Sequence, residues 1–402
     1  MDDRRHRPVA KLFPIMGVVL VAFLVIGCAM PVLPLHVHDG LELGPVWVGL
    51  IAGSQFAAAL ISRPWAGHFS DRRGAKRAVM LGLLVAAASG LVYWLSLGVA
   101  SEPVLSGWVL LAGRLLLGGA ESFIITGAVS WGFGLVPARD TGRVIAWVGA
   151  AMFAAFAAGA PIGAALFAAF GFGAIAAATG LAPLATWLLV LPVRAVAPAA
   201  HERRPGFTTV LGAVWVPGLG SALSTVGFGA ITAFVTLLFA ERGWSHGWLP
   251  YTTFAGVFIA ARLAVGHLPD RIGGARVALG CLLVEAAGQA LLWLAPRQEL
   301  ALLGAALSGL GYSLVYPGFG VAAVLRVPAA SRGLAMGAYT AFLDLALGAG
   351  GPALGLLASG AGLETVFLAG ALGCLAAVPI ALQLGALRPR ASTRLTPSCE
   401  AP

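Results

Sequence analysis

The chain has 402 residues, of which 59% are hydrophobic and 10% are charged, and its net charge at pH 7 is +9. This composition, with a mean hydropathy of +0.92, excludes a soluble globular domain and predicts an integral membrane protein. A nucleic-acid partner is excluded as the reason for the positive charge, because the basic residues follow the membrane topology described below.

Twelve apolar runs are long enough to cross the hydrocarbon layer of a membrane, which is roughly 30 Å thick and needs about 20 helical residues. Such runs exceed the length of a transmembrane β-strand, so they predict helices. The first run has no small-residue cleavage site at its end, so we interpret it as a retained span rather than a signal peptide. In chain order, the centres lie near Val21, Ala57, Ala86, Leu117, Ala155, Ala182, Gly227, Phe258, Leu283, Leu310, Leu345 and Leu372.

The basic residues predict how the chain crosses the membrane. Of the 25 Lys and Arg residues, Arg242 and Arg297 fall in segments opposite the N-terminus, and Arg63, Arg114 and Arg262 fall within or at the edges of apolar runs. All the others lie on the side of the N-terminus. The positive-inside rule therefore predicts a multi-pass membrane protein with both termini in the cytoplasm and an even number of spans, and with the lipid bilayer as a partner.

The sequence divides into two related halves. The segment "GHFSDRRGAKR" from Gly67 is repeated as "GHLPDRIGGAR" from Gly266, and the segment from Pro137 aligns without a gap to the segment from Pro328. Two six-helix halves are the expected plan of a transporter whose site lies at the repeat interface. We predict an N-terminal half over 1–193, a cytoplasmic linker over 194–207, a C-terminal half over 208–387 and a cytoplasmic tail over 388–402.

These segments resemble motifs of the major facilitator superfamily. "GHFSDRRGAKR" is similar to the loop signature of that family, and "GHLPDRIGGAR" is similar to its second-half copy. "LLAGRLLLGGAE" resembles an Arg-x-x-x-Gly motif through Arg114 and Gly118, and "GAPIGAAL" from Gly159 resembles a Gly-Pro motif of proton-driven exporters. The resemblance covers essentially the whole chain. It implies an all-α membrane protein with twelve transmembrane helices in two pseudo-symmetric halves.

Two further segments, "RPWAG" at Arg63 and "AFLDLALGAGG" around Asp344, resemble bacterial sugar or drug efflux proteins, and the acid in the second also resembles that of opine-metallophore exporters. The resemblance implies that the loop from Gly67 docks against the eleventh span when the cytoplasmic side is closed. Arg63 and Arg262 are equivalent in the repeat and can snorkel to the interface, so we interpret them as gate or anchor residues. The predicted cytoplasmic gate consists of Gly67, Asp71, Arg72, Gly74, Arg77, Asp270, Arg271, Arg63 and Arg262.

Charges inside apolar runs need an explanation, because each costs at least roughly 2.5–3.5 kcal/mol at mid-bilayer on insertion scales. Arg114 and Glu121 lie two helical turns apart on one face, as a structural pair or as a protonatable site beside a cation. Asp344 lies near mid-depth. We interpret it either as the partner of Arg262 or of a hydroxyl group, or as a carboxylate that binds a cation or carries a proton. We predict that Asp344, Glu121 and Arg114 couple protons or bind substrate.

The remaining polar and aromatic residues carry weaker signals. Glu285 is interpreted as structural, bonded to Gln289 one turn on. The residues His36, His38 and Asp39 are interpreted as a solvated loop rather than a metal site. Residues that could line a mixed aromatic and polar cavity, with helix packing as the alternative, are Tyr312, Tyr316, Phe228 and Thr232.

No phosphate-binding glycine loop or hydrolase motif is present in the sequence, and its four cysteines form no close pair. We therefore predict no cofactor, no metal and no enzymatic activity. The leading hypothesis is a monomeric secondary active transporter that exports a small organic solute in exchange for protons by alternating access. A metallophore exporter is a subtype of this hypothesis. A uniporter or an importing proton symporter is the alternative, and a membrane enzyme or sensor is a distant one.

Overall fold

The computed structural model describes residues 12–136, 141–196, 207–327 and 332–386. The described residues form twelve long helices, numbered α1 to α12. Eleven, counting α1 with its extension to Gly40, are long and apolar enough to span a membrane, and α8 is a shorter apolar helix. Each predicted centre lies in one helix, so the twelve predicted spans are confirmed. The helices are α1 (Phe13–Ala29), α2 (Pro45–Arg73), α3 (Ala75–Gly98), α4 (Pro103–Leu135), α5 (Thr141–Phe170), α6 (Phe172–Val190), α7 (Phe207–Glu241), α8 (Leu249–Val265), α9 (Gly274–Leu294), α10 (Gln298–Val324), α11 (Arg332–Ala361) and α12 (Thr365–Ala386).

The two copies of the repeated loop segment fold differently. In the second copy, α8 ends at Val265 and a separate short helix follows at Leu268–Ile272. Pro269 lies in the first turn of this short helix, a position that proline favours because its missing N–H is not needed there. The first copy has Ser70 at the equivalent position, and α2 runs unbroken to Arg73.

The same two copies share a turn that only glycine adopts readily. Gly74 has φ 96° and Gly273 has φ 98°, and each links two antiparallel helices. Residues with a Cβ are strained at such positive φ angles. The matched geometry of the two turns supports the internal duplication.

Replacing Gly74 with alanine is expected to lower the free energy of unfolding by about 1–3 kcal/mol, because the strained turn persists with a Cβ present. Gly67→Ala is the matched control in the same loop segment, since a Cβ there meets no described atom within 4 Å. Thermal unfolding of the purified protein in detergent measures both variants. Equal melting temperatures for the two would contradict the prediction.

The turns between helices define two faces of the bundle. The basic face contains the turns at Gly74 and Gly273, and the described chain begins and ends there, at Leu12 and Ala386. The far face contains the turns that follow α1, α3, α5, α7, α9 and α11. The predicted linker and tail lie largely outside the described residues, since 197–206 and 387–402 are not among them.

Two helix pairs carry most of the packing between the N-terminal and C-terminal halves. They are α2 against α11, and α5 against α8. The two pairs are equivalent in the duplication, because α2 corresponds to α8 and α5 corresponds to α11. The interface between the halves therefore has two related contact lines.

Glycines allow α2 and α11 to approach closely near the far face. A Cβ added to Gly53 would lie 2.8 Å from the carbonyl oxygen of Gly348, and one added to Gly355 would lie 2.6 Å from that of Pro45. Such contacts between helix backbones require residues without side chains. The far-face ends of the two helices are thus in direct contact.

The same helices have open space at their basic-face ends. Gly67 of α2 lies fourteen residues after Gly53, nearly four helical turns, so it points in a similar direction. In α11, Gly337 likewise lies fourteen residues before Gly351 and points in a similar direction. A Cβ at Gly67 or Gly337 would meet no described atom within 4 Å. The described parts of α2 and α11 are therefore in close contact near the far face, whereas Gly67 and Gly337 at their basic-face ends have free space around them.

Candidate functional site

An ion pair joins the two halves just beyond the glycine contact. The guanidinium Nη2 of Arg63 in α2 donates to Oδ2 of Asp344 in α11. The side chains are 25% and 10% exposed, respectively. The pair is thus shielded from bulk solvent but not sealed from it. It is a charged contact between helices that belong to different halves.

This pairing corrects two expectations for the charged residues. Arg63 does not extend to the interface, because Asp344 holds its side chain in the helix contact. Asp344 does not pair with Arg262, because α11 packs against α2 while Arg262 lies on α8. Arg262 instead donates to the carbonyl oxygen of Ser313 at 3.4 Å, and its guanidinium carbon lies 5.9 Å from the centroid of the Phe258 ring.

Glu121 of α4 lies close to this ion pair. Its Oε2 accepts a hydrogen bond from Nε2 of Gln55 in α2 at 2.7 Å. The charges of Asp344, Arg63 and Arg114 all act on the Glu121 carboxyl group. The structure therefore brings Asp344 and Glu121 into one cluster, with Arg63 as the cation that contacts Asp344.

Arg114 is fully buried, with 2% of its surface exposed. Its Nη1 donates to the hydroxyl oxygen of Tyr93 in α3 at 3.5 Å, and its Nε has no hydrogen-bond partner among the described residues. Arg114 thus contacts α3, and Glu121 is held by Gln55 rather than by Arg114. The charge of Arg114 still acts on the Glu121 carboxyl group electrostatically.

Tyr316 of α10 contacts α11 near the charged pair. Its hydroxyl forms a 2.7 Å hydrogen bond with Thr340 of α11. The charges of Arg63, Asp344 and Arg262 all act on this hydroxyl. Of the predicted cavity residues, Tyr316 is the one that the structure places beside the charged cluster.

The other predicted cavity residues mostly pack against each other. Phe228 stacks on Tyr312 with ring centroids 5.1 Å apart and on Phe254 at 5.5 Å. Both Phe228 and Tyr312 are buried. Thr232 is half-buried, and its hydroxyl donates to the carbonyl oxygen of Gly229 in its own helix. These side chains form an aromatic wall of α7, α8 and α10.

The second contact line between the halves lacks the ion pair. The repeat places Arg262 where the first line has Arg63, and Phe153 where it has Asp344. Phe153 packs on Phe258 with ring centroids 4.0 Å apart. One line between the halves is therefore charged, and its counterpart is aromatic.

Apart from Arg63 and Arg262, the predicted gate residues belong to the two loop segments on the basic face. Lys76 donates to the carbonyl oxygens of Leu191 and Val193, both at 2.7 Å, so the first loop is tied to the end of α6. A cavity of about 530 Å³ next to it is lined by Arg72, Arg73, Gly74, Lys76, Arg77, Met80, Ala195 and Val196. Arg271 is exposed, and the side chain of Asp270 lies outside the described residues.

Two site contacts were missed or misassigned from the sequence. Gln55 was not predicted, although it lies eight residues before Arg63 and thus on nearly the same face of α2. Glu285 accepts a hydrogen bond from Ser224 of α7 rather than from Gln289. The helical spacing of polar residues on α2 was the signal that could have identified Gln55.

Comparisons with known proteins identify the family. A family model described as Major Facilitator Superfamily matches residues 15–268 and 218–401. An uncharacterised MFS-type transporter of Pseudomonas aeruginosa is 44% identical over 383 residues, which cover 95% of both chains.

Two solved structures show the same fold. A mutant of the nucleoside transporter NupG superposes with a TM-score of 0.76 at 14% identity, over 93% of this chain and 99% of that chain. A D-xylose-proton symporter superposes with a TM-score of 0.73 at 16% identity, over 92% and 96%. The predictions of the fold class and of a transporter rather than an enzyme are confirmed, and the chain belongs to the Major Facilitator Superfamily.

Proposed function

We propose that this transporter exports a small organic solute in exchange for protons, working as a monomer in the inner membrane of a bacterium. The basic face lies in the cytoplasm, as the positive-inside rule predicts. The observation that carries the proposal is the ion pair between Arg63 and Asp344, because it joins the two halves through a group that can take up a proton. The two halves are joined by the predicted linker over residues 194–207.

The glycine contact supports a role for this pair in alternating access. With the far-face ends of α2 and α11 in contact, the space between the halves opens towards the basic face. The ion pair lies next to that contact and adds to its stability. A proton on Asp344 removes the charge that holds Arg63, so protonation weakens the conformation in which the far face is closed.

Exchange of the solute for a proton follows if the proton and the solute break the ion pair between Asp344 and Arg63 in turn. In the conformation open to the far face, Asp344 binds a proton from outside. After the halves move, the proton leaves towards the cytoplasm, and the carboxylate pairs with Arg63. A solute that binds between the halves then displaces Arg63, and the far face opens to release it. One proton moves inward for each such outward step.

Glu121 offers Arg63 a second partner during this cycle. Glu121 and Arg63 both belong to the N-terminal half, and the charge of Arg63 already acts on Glu121. When Arg63 leaves Asp344, it exchanges a contact between halves for a contact within one half. Arg114 balances the negative charge of Glu121 from the side of α3.

Solute-driven proton movement tests the direction of coupling. A thermal-stabilisation screen of the purified protein against small-molecule libraries supplies the solute, and the protein is then reconstituted in liposomes with an internal pH dye. We expect an outward solute gradient to drive protons inward. Protons that move with the solute would instead identify a symporter, and solute flux without proton movement would identify a uniporter. Protein-free liposomes given the same gradient are the control.

A further inference from the structure

A second buried carboxyl group lies within the C-terminal half, away from the charged pair. Glu285 of α9 is 0% exposed, and its Oε2 accepts a hydrogen bond from Ser224 of α7 at 2.5 Å. The Cys374 thiol of α12 also lies beside this carboxyl group. Neither contact is shared with Asp344 or Glu121.

Two buried side-chain oxygen atoms at this site, one of them in the carboxyl group itself, accept no hydrogen bond from the part of the chain that the structure describes. Oε1 of Glu285 and Oε1 of Gln289 have no hydrogen-bond partner among the described residues. They lie one turn apart on α9, so they share a face. Nε2 of Gln289 already donates to the Gly227 carbonyl at 3.3 Å and to the Ser308 hydroxyl at 3.1 Å, which fixes the orientation of the amide. The site thus has two acceptor atoms that no described group donates to.

A proton on Glu285 supplies the missing donor. It turns Oε1 from an acceptor into a hydroxyl group, and the unsatisfied acceptor on the same face is Oε1 of Gln289. The titratable groups of the described elements around Glu285 are Cys281, Cys374 and Tyr312. All three are neutral when protonated, so none of them compensates a negative charge on Glu285. Uncompensated charge at this depth is strongly unfavourable.

Two hydroxyl groups of α7 lie between this carboxyl group and Tyr312. Ser224 donates to Glu285. The hydroxyl of the next residue, Thr225, donates to the carbonyl oxygen of Ser221 and lies 3.4 Å from the Tyr312 hydroxyl. The charges of Glu285 and Arg262 both act on Tyr312. Tyr312 therefore lies between the buried carboxyl group and the aromatic contact line.

We propose that Glu285 is a second proton-binding site, which exchanges its proton by way of the α7 hydroxyl groups and Tyr312. The proton binds to Oε1 of the carboxylate when it arrives and leaves the carboxylate charged when it departs, with no other bond changed. This site is independent of the proposed coupling at Asp344.

Infrared difference spectroscopy of the purified protein in lipid tests this proposal by a pH titration. We expect a band of a protonated carboxyl group that is lost in Glu285→Gln and that disappears reversibly in the wild type as the pH rises. Glu121→Gln is the matched control and must leave this band in place. Cys374→Ser provides a second assignment, because it is expected to shift the frequency of the band while keeping the acid.

The route is tested on the same band after a rapid change of pH. Tyr312→Phe removes one hydroxyl of the route and is expected to slow the change of the band severalfold without changing its final amplitude. An unchanged rate would overturn the route through Tyr312.

Two results would overturn the site itself. A Glu285 band that stays constant over the whole pH range of the folded protein would make Glu285 a permanently neutral packing group. Identical spectra for the wild type and Glu285→Gln at every pH would mean that Glu285 never carries a proton. The titration uses neither a solute nor a pH gradient, so its outcome does not depend on whether Asp344 couples transport to protons.

Discussion

Replacing Asp344 with asparagine is expected to abolish the response of the far face of this transporter to pH. Asparagine has a similar shape but takes up no proton and carries no charge, so it resembles the protonated acid. The conformation with a closed far face loses its ion pair permanently. If the pair contributes a typical coupling free energy of about 1–3 kcal/mol, the ratio of closed to open far face changes by about 5- to 150-fold.

Distances between spin labels on the far face measure this effect without a solute. Ala100 of the N-terminal half and Arg242 of the C-terminal half are exposed there and accept labels as cysteine variants. In the otherwise unchanged protein, acid is expected to shift the label pair towards longer distances, because protonation of Asp344 releases Arg63. In Asp344→Asn, long distances are expected at every pH. Glu241→Gln, an exposed change at the end of α7, is the control that keeps the pH response.

Variants of Arg63, the partner of Asp344, provide a second test of the ion pair. Arg63→Gln leaves the Asp344 carboxylate without its cation, and the double variant Arg63→Gln with Asp344→Asn removes both charges. Because the two residues act through one contact, their effects on the distance distribution are expected to be far from additive. Additive effects, or a wild-type pH response in Asp344→Asn, would contradict the role of the pair.

Replacing Gly351 with alanine is expected to push the two halves apart at the far face. A Cβ at Gly351 would collide with the carbonyl oxygen of Gly49 and lie 3.0 Å from the Cα of Gly53. Backbone atoms cannot turn aside as a side chain does, so the helices must separate. Overpacking of this kind costs about 1–3 kcal/mol, all of it in the conformation with a closed far face.

The neighbouring glycine provides a matched control for this change. A Cβ at Gly350 would meet no described atom within 4 Å, although the residue lies in the same turn of α11. We expect Gly351→Ala to lengthen the distance between labels at Ala100 and Arg242 and to reduce transport, and Gly350→Ala to do neither. If both variants behaved alike, the closeness of α2 and α11 would not control the far face.

The helices could be predicted from the sequence because membrane spans depend on local composition. Each apolar run had to form its own hydrogen bonds within the bilayer, so its centre located a helix without any knowledge of its neighbours. The break after α8 coincides with Pro269, but proline alone does not predict it, because α2 contains Pro64 and stays unbroken. The duplication was visible because the loop segments from Gly67 and Gly266 kept their letters in register.

The contacts of the charged residues could not be predicted in the same way. Asp344 was identifiable as costly in its position, yet its partner depended on which helix of the other half lies against α11. That choice is set by the glycines at 49, 53, 348, 351 and 355, which bring two distant segments together, and helical periodicity within one segment contains no information about it. The contact of Ser224 with Glu285 was missed for the same reason.

The two related contact lines have a consequence for how such a protein acquires ion dependence. After a gene duplication, both lines start with the same residues, and the halves move about them alike. Here a single difference between equivalent positions, Phe153 in one copy and Asp344 in the other, leaves Arg262 beside aromatic rings and gives Arg63 an acid. Under the proposed exchange, one substitution at such a position is thus enough to change the stoichiometry, while the duplicated scaffold stays the same.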